Sequence, residues 1–336
     1  MVWVLGFFLS KGQFFGGKPV ARFAILLVAG LLSLGCQVAF AAEAIGSVTI
    51  LEGEATLIRS LAKWGVAEGV RVKPDDLIET GKTTFVRIEL SDGVILDLGP
   101  ASQVQLNAST FRRAHRPGLY LLSGWAKLTA AKAAGKASLA SPLFDIPGLS
   151  GVAVMRSIAE SSAVFAENGP VSVAAHVGAT AMFVLKTGDY LALRKGAPAR
   201  VDGRPMPDFV SALPSQFRDT IPSRLPQREV APKPEGPFTC SEVQAWLDAE
   251  AAVRSRFSHD WAAKADEPAF RECLIAGLSR HPEWEQVLYP KPPETEETSA
   301  QGGEAKAQAA PAAGASVPAA ERLAPSKDKP SSTAGH

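Results

Sequence analysis

The sequence predicts a mainly β domain followed by a small α-helical C-terminal module and a disordered tail, on three observations. Short apolar runs punctuated by glycine recur from about Ala44 to Asp202, the pattern of closely spaced strands. Composition favours turns over long helices, with 29 Gly, 25 Pro and only 7% aromatic residues in a chain of 336, a balance commoner in strand-and-turn folds. From Thr239 onward the apolar residues change to helical spacing. With 46% apolar and 21% charged residues most of the chain belongs to the globular class, and a net charge of +1 gives no field for nucleic acid.

At the amino terminus Lys18 and Arg22 precede the apolar run "FAILLVAGLLSLG", which ends near Ala39-Phe40-Ala41. This is the pattern of an export signal cleaved after Ala41, giving a signal peptide over 1–41 and an exported, periplasmic protein. Two other fates stay open. The segment is long enough to remain as an inner-membrane anchor, and Cys36 after "LSLG" is a candidate lipid-attachment site, so membrane contact depends on retention or lipidation.

The β domain is expected over 44–202. In "FVRIELSDGVILDL" a three-residue loop, Ser91-Asp92-Gly93, pairs Leu90 with Val94, Ile88 with Leu96 and Val86 with Leu98. One face is then wholly apolar. Asp92 and Gly93 are read as turn residues, glycine taking the left-handed position. The same register sets Arg87 opposite Asp97 on the outer face, an ion pair worth under about 1 kcal/mol if exposed. "LYLLSGWAKLTA" suits a second hairpin with a two-residue Ser123-Gly124 loop, pairing Leu121 with Ala126 and Leu119 with Leu128. Further strands are expected at 47–51, 54–58, 104–106, 151–158, 163–166, 171–177, 181–185 and 190–193.

Residues 203–237 are dense in proline with few large apolar groups, and read as a semi-extended linker. In the module, 238–290, Thr239 and Glu242 have capping-box spacing, and Val243, Trp246, Leu247 and Val253 recur at helical intervals. A second helix starts after Asp266 with Pro268 in its first turn, and a short third one is expected around 283–288. Without Cys36, Cys240 and Cys273 remain as an even pair. With no ligand-spaced His and no C-x-x-C, a disulfide in an oxidising compartment is the expectation. So small a module buries little apolar area alone, and closing this loop adds roughly 3 kcal/mol. Residues 291–336 lack apolar period and read as disordered.

The stretches "GSVTILEGEATLIR", "VRVKPDDLIETG", the Asp92-Gly93 turn and "YLLSGWAKLTA" resemble the FecR-type domain. The match covers about 44–201 and rests on turn residues: Gly46, Gly53, Pro74, Asp76, Thr80, Gly81, Asp92, Gly93 and Gly124. The resemblance implies a solenoid- or sandwich-like β fold and a role in envelope signalling through a protein partner. Only about 22 residues precede the hydrophobic run, fewer than a folded sigma-binding segment needs, so sigma-factor control is not carried over.

Nothing in the sequence assembles catalytic chemistry. The five histidines are scattered without metal-ligand spacing, and "GLSG" around Ser150 is one residue short of a nucleophile elbow. Asp75 and Asp76 precede a strand at a turn, where acidic side chains cap backbone amides. The expectation is therefore no enzyme, no cofactor and no metal. Arg112, Arg113 and Arg116 form the densest basic run, a candidate polyanion contact set against a solvated connection. An envelope protein is the expected partner. A cell-wall polymer is the alternative, which exposed tryptophans would favour and burial of Trp64 and Trp125 would oppose.

Overall fold

The computed structural model describes residues 43–108, 118–131, 137–219, 221–224 and 228–290. Among these, eighteen strands form one hydrogen-bonded system that folds into two layers. The first layer runs β4 (Arg71–Val72), β1 (Gly46–Glu52), β6 (Phe85–Leu90), β7 (Ile95–Leu98), β9 (Gly118–Ala130), β12 (Gly151–Ile158), β13 (Ser161–Asn168), β16 (Tyr190–Arg194) and β17 (Arg200–Asp202). The second runs β18 (Lys233–Pro237), β3 (Ala62–Gly65), β2 (Ala55–Arg59), β5 (Leu77–Thr80), β8 (Gln103–Ala108), β9 again, β10 (Ala137–Ser141), β11 (Phe144–Leu149), β14 (Val171–Ala175) and β15 (Ala181–Leu185). Pairing is antiparallel between these strands except for β9 with β10. One core lies between the layers, with Val48, Ile88, Leu96, Leu128 and Met155 from the first facing Leu57, Ile78, Leu121, Ile146 and Val173 from the second.

The β6–β7 hairpin has the expected register: Val86 faces Leu98, Ile88 faces Leu96, and the Leu90 N–H donates to the Val94 carbonyl at 2.8 Å. Gly93 sits at φ +83°, and Asp92 Oδ1 accepts from the Val94 N–H at 3.1 Å.

The second expected hairpin is not formed. Residues Gly118–Ala130 make one continuous strand that bends at Gly124, pairing with β8 and β10 before the bend and with β7 and β12 after it. Gly124 has φ +95°, and a Cβ there would lie 2.3 Å from Ser102 Cα. The buried Ser102 hydroxyl accepts from the Trp125 N–H at 2.8 Å and lies 2.9 Å from the Gly99 and Trp125 carbonyls. Local turn chemistry suggested a reversal, whereas partners from both layers hold the strand through the bend and carry it from one layer to the other.

The outer faces are also buried, each by a segment downstream of the strands. Residues 207–219 and 221–224, expected as part of a linker, lie as a strap across the first layer: a helix (Pro207–Ala212), a 3-10 turn (Ser215–Arg218) and an extended end. Phe209 packs on Trp125 and Tyr190, each 5.1 Å between ring centres, and Phe217 meets Phe85 edge-on at 6.3 Å. Each buried ring contributes about 1.5–3 kcal/mol.

The strap also changes the character of the outer ion pair. Arg87 and Asp97 are only 5% and 2% exposed, joined bidentately at 2.6 and 2.8 Å. Arg87 donates further to the Ile221 carbonyl at 2.8 Å, and Lys127 to the Phe217 carbonyl at 2.6 Å and to Glu167 at 2.9 Å. Glu89 accepts from the Arg224 N–H at 2.6 Å and from the Ser223 hydroxyl. Burial pushes the Asp97 carboxyl up against the pull of Arg87, while the hydrogen bond to Asp97 raises the Arg87 guanidinium.

A buried pair is costly to break by halves. Arg87→Ala should lower stability by about 3–5 kcal/mol, whereas Arg87→Met with Asp97→Leu should lose much less. Chemical denaturation of both proteins checks this, and equal losses would contradict the buried-pair account.

Candidate functional site

Cys240 and Cys273 are bonded, with 6.4 Å between their Cα atoms, and close a loop of irregular helical turns. The first expected helix breaks into short turns (Gln244–Leu247, Ala251–Arg254, Phe257–Asp260), while Pro268–Gly277 is one helix with Pro268 in its first turn. The module's core is completed by the sheet. Its Trp246, Phe257, Trp261 and Phe270 pack with Ile58, Leu77, Tyr120 and Ala140 on the outer face of the second layer.

Polar contacts fix this docking. Trp246 Nε1 donates to Glu79 Oε1 at 3.1 Å, Arg256 pairs with Asp75, and Lys63 pairs with Glu242. Burial raises the Glu79 carboxyl. The expected capping box is half made: Glu242 accepts from the Thr239 N–H at 2.7 Å and from its hydroxyl at 2.8 Å, closing the turn that leads into the module. Asp76 accepts from the Lys73 N–H at 2.7 Å and binds Arg59 bidentately at 2.7 and 2.8 Å, a turn-capping role. Gly53 and Gly81 both press on Thr84, whose hydroxyl bridges the N–H and carbonyl of Glu54. The basic run with Arg112, Arg113 and Arg116 lies outside the described residues, as do 1–42 and 291–336.

With most of both faces covered, what remains open is one end of the sandwich. At the other end β4 is two residues long and preceded by a bridge between Val70 and Val230, and β18 carries Pro234 and Pro237, which lack the N–H needed to extend a sheet. At the open end β15 pairs, among the described residues, on one side only, with β14, and exposes Met182 (61%) and Val184 (69%). The edge of the first layer is β17, beside a groove lined by Arg156, Arg194, Arg200, Tyr190 and Phe209. A second groove lies at the module's junction, around Asp75, Asp76 and Arg256. Among the described residues no three His, Cys, Asp or Glu side chains are grouped to hold a metal, and no helix is long and apolar enough to cross a membrane.

The tryptophans among the described residues do not form a sugar platform. Trp125, Trp246, Trp261 and Trp284 are buried, and Trp64 is half-buried against the main core. The strand at 181–185 was legible, but its standing as an edge was not, because sequence does not show which strands lack a second neighbour.

No family model and no curated protein matches this chain. Among solved structures, two crystal structures of a candidate anti-sigma factor from Parabacteroides distasonis share 14% and 11% identity with it at a TM-score of 0.32. The alignment covers 38% of this chain and 59% of that protein. A likeness this distant transfers neither fold nor function.

The Lys63 ammonium and the Thr239 N–H hold the Glu242 carboxyl down at about 2, below the usual value of 4.5. Its contribution to docking is therefore full above about pH 4.5 and lost as pH falls toward 2. The Glu242→Gln protein should lack this part of the acid dependence in denaturation midpoints. Parallel curves for the two proteins across that window would contradict the role.

Proposed function

We propose that this chain is a non-enzymatic, exported FecR-type module of the bacterial envelope that acts in signalling or regulation by binding a protein partner. The observation that carries the reading is the asymmetry of the sheet ends. One end is blunted by prolines and a two-residue strand, while β15 offers a free backbone edge with apolar side chains. Sandwiches commonly protect such edges, and an unprotected one suits strand addition, where backbone hydrogen bonds give affinity and alternate side chains give selectivity. The partner supplies an extended segment with apolar residues at alternate positions. The Cys240–Cys273 bond and the apolar leader support an oxidising, extracytoplasmic setting. The FecR-type turn residues support the family reading, and burial of the tryptophans opposes the cell-wall alternative.

A photoreactive side chain at position 182, in the chain lacking 1–41, should crosslink one protein from an envelope extract. Met182→Lys with Val184→Lys should abolish capture with the probe moved to position 181. Stability should change within about 0.5 kcal/mol, as both side chains are exposed. Capture that persists in the double variant, or that is equal with the probe at position 234 on β18, would overturn the reading.

A further inference from the structure

The strap covers the outer face of the first layer only as far as Phe209, and beyond it lies an open groove of about 510 Å³. Its floor follows from strand register. One row of outward residues crosses the sheet from Trp125 to Arg156, Ala163, Ala192 and Arg200, and the neighbouring row carries Ile158, Ser161 and Arg194. Two alanines thus lie side by side between two arginines. With strands about 4.8 Å apart, the arginine Cα positions flank a trough roughly 14 Å across. Met206 and Phe209 from the strap line its upper side.

Arg156 is the unusual member: Arg271, also half-buried, lacks a carboxylate but donates to the carbonyls of Ala265 and Leu288, whereas Arg156 has neither kind of partner among the described residues. Arg59, Arg87, Arg254 and Arg256, each at least partly buried, are all given a carboxylate by the fold. The half-buried Arg156 lies 5.0 Å over the Trp125 ring and, among the described residues, has no carboxylate partner. Arg200 is neutralised by Asp202 at 3.0 Å, whereas Arg194, like Arg156, pairs with no described carboxylate. Asp208 lines the strap side of the groove and repels an anion there, which directs negative charge toward Arg156.

We propose that this groove binds a small ligand with an anionic head, a carboxylate or a phosphate, and an apolar body. The head is held by the planar fork of Arg156 with Arg194 alongside. The body lies over Ala163 and Ala192 against Met206 and Phe209. The volume falls within the roughly 300–1,000 Å³ of small-molecule sites. This site is on a different face from the β15 edge, so the two proposals stand or fall separately.

Calorimetric titration of the folded chain with octanoate and octyl phosphate tests it, with octanol and inorganic phosphate as controls lacking the charge or the body. At least one amphipathic anion should bind, and binding by only one of them assigns the head as carboxylate or phosphate. The controls should bind at least about tenfold more weakly. Arg156→Gln should weaken binding about tenfold or more. Ala192→Leu, which fills the trough and keeps every guanidinium, should block binding, with melting temperature recorded for both variants. Binding by neither anion, equal binding of either control, or undiminished affinity in either folded variant would overturn the proposal.

Discussion

The structure depends on how the charges on the first layer's outer face are satisfied after burial. Arg87, Glu89, Asp97 and Lys127 project away from the main core and sit under the strap. Enclosing four charged groups is unfavourable unless each finds partners. The strap supplies them from its backbone: carbonyls of Phe217 and Ile221 for the two cations and the Arg224 N–H for Glu89. The strap in turn has few hydrogen-bond partners of its own kind, being largely non-repetitive and rich in proline. Sheet and strap therefore complete each other, and the aromatic contacts of Phe209 and Phe217 add the apolar driving force.

The second layer is closed by the same logic with different chemistry. There the module lays its aromatic core on Ile58, Leu77 and Tyr120, and the disulfide holds together turns too short to be stable helices alone. Between the two layers, Gly124 lets β9 serve both, so that sheet, strap and module form one packed body. With most of both faces covered and one end blunted, the two proposed sites, the β15 edge and the arginine groove, share the open end on separate layers.

Much of the β domain was legible because alternation and turn chemistry act locally. The Asp92-Gly93 hairpin needed only its own fourteen or so residues. Gly124 was misread because a glycine with positive φ serves a hairpin or a strand bend equally well, and the choice rests on Ser102 and on β7, β8, β10 and β12. The strap was missed because it lies within a proline-dense stretch, 203–237, with few large apolar groups. Yet Phe209, Leu213, Phe217 and Ile221 recur every fourth residue, and all four pack on the sheet. Phe85, Trp125, Val154 and Tyr190, on strand positions opposite to the core-facing ones, were the matching signal that this face is buried too. The candidate site was less legible still, since an unpaired edge and a row of residues across five strands are properties of register, not of any one segment.

The central claim is that the C-terminal segments are part of the β fold and not appendages to it. The most direct test compares residues 43–290 with residues 43–206 by thermal unfolding and by binding of a dye specific for exposed apolar surface. The account predicts that the shorter chain loses its cooperative transition and binds the dye, because both outer faces and the charges under the strap are laid bare. A shorter chain that unfolds cooperatively at the same temperature, without binding the dye, would contradict it.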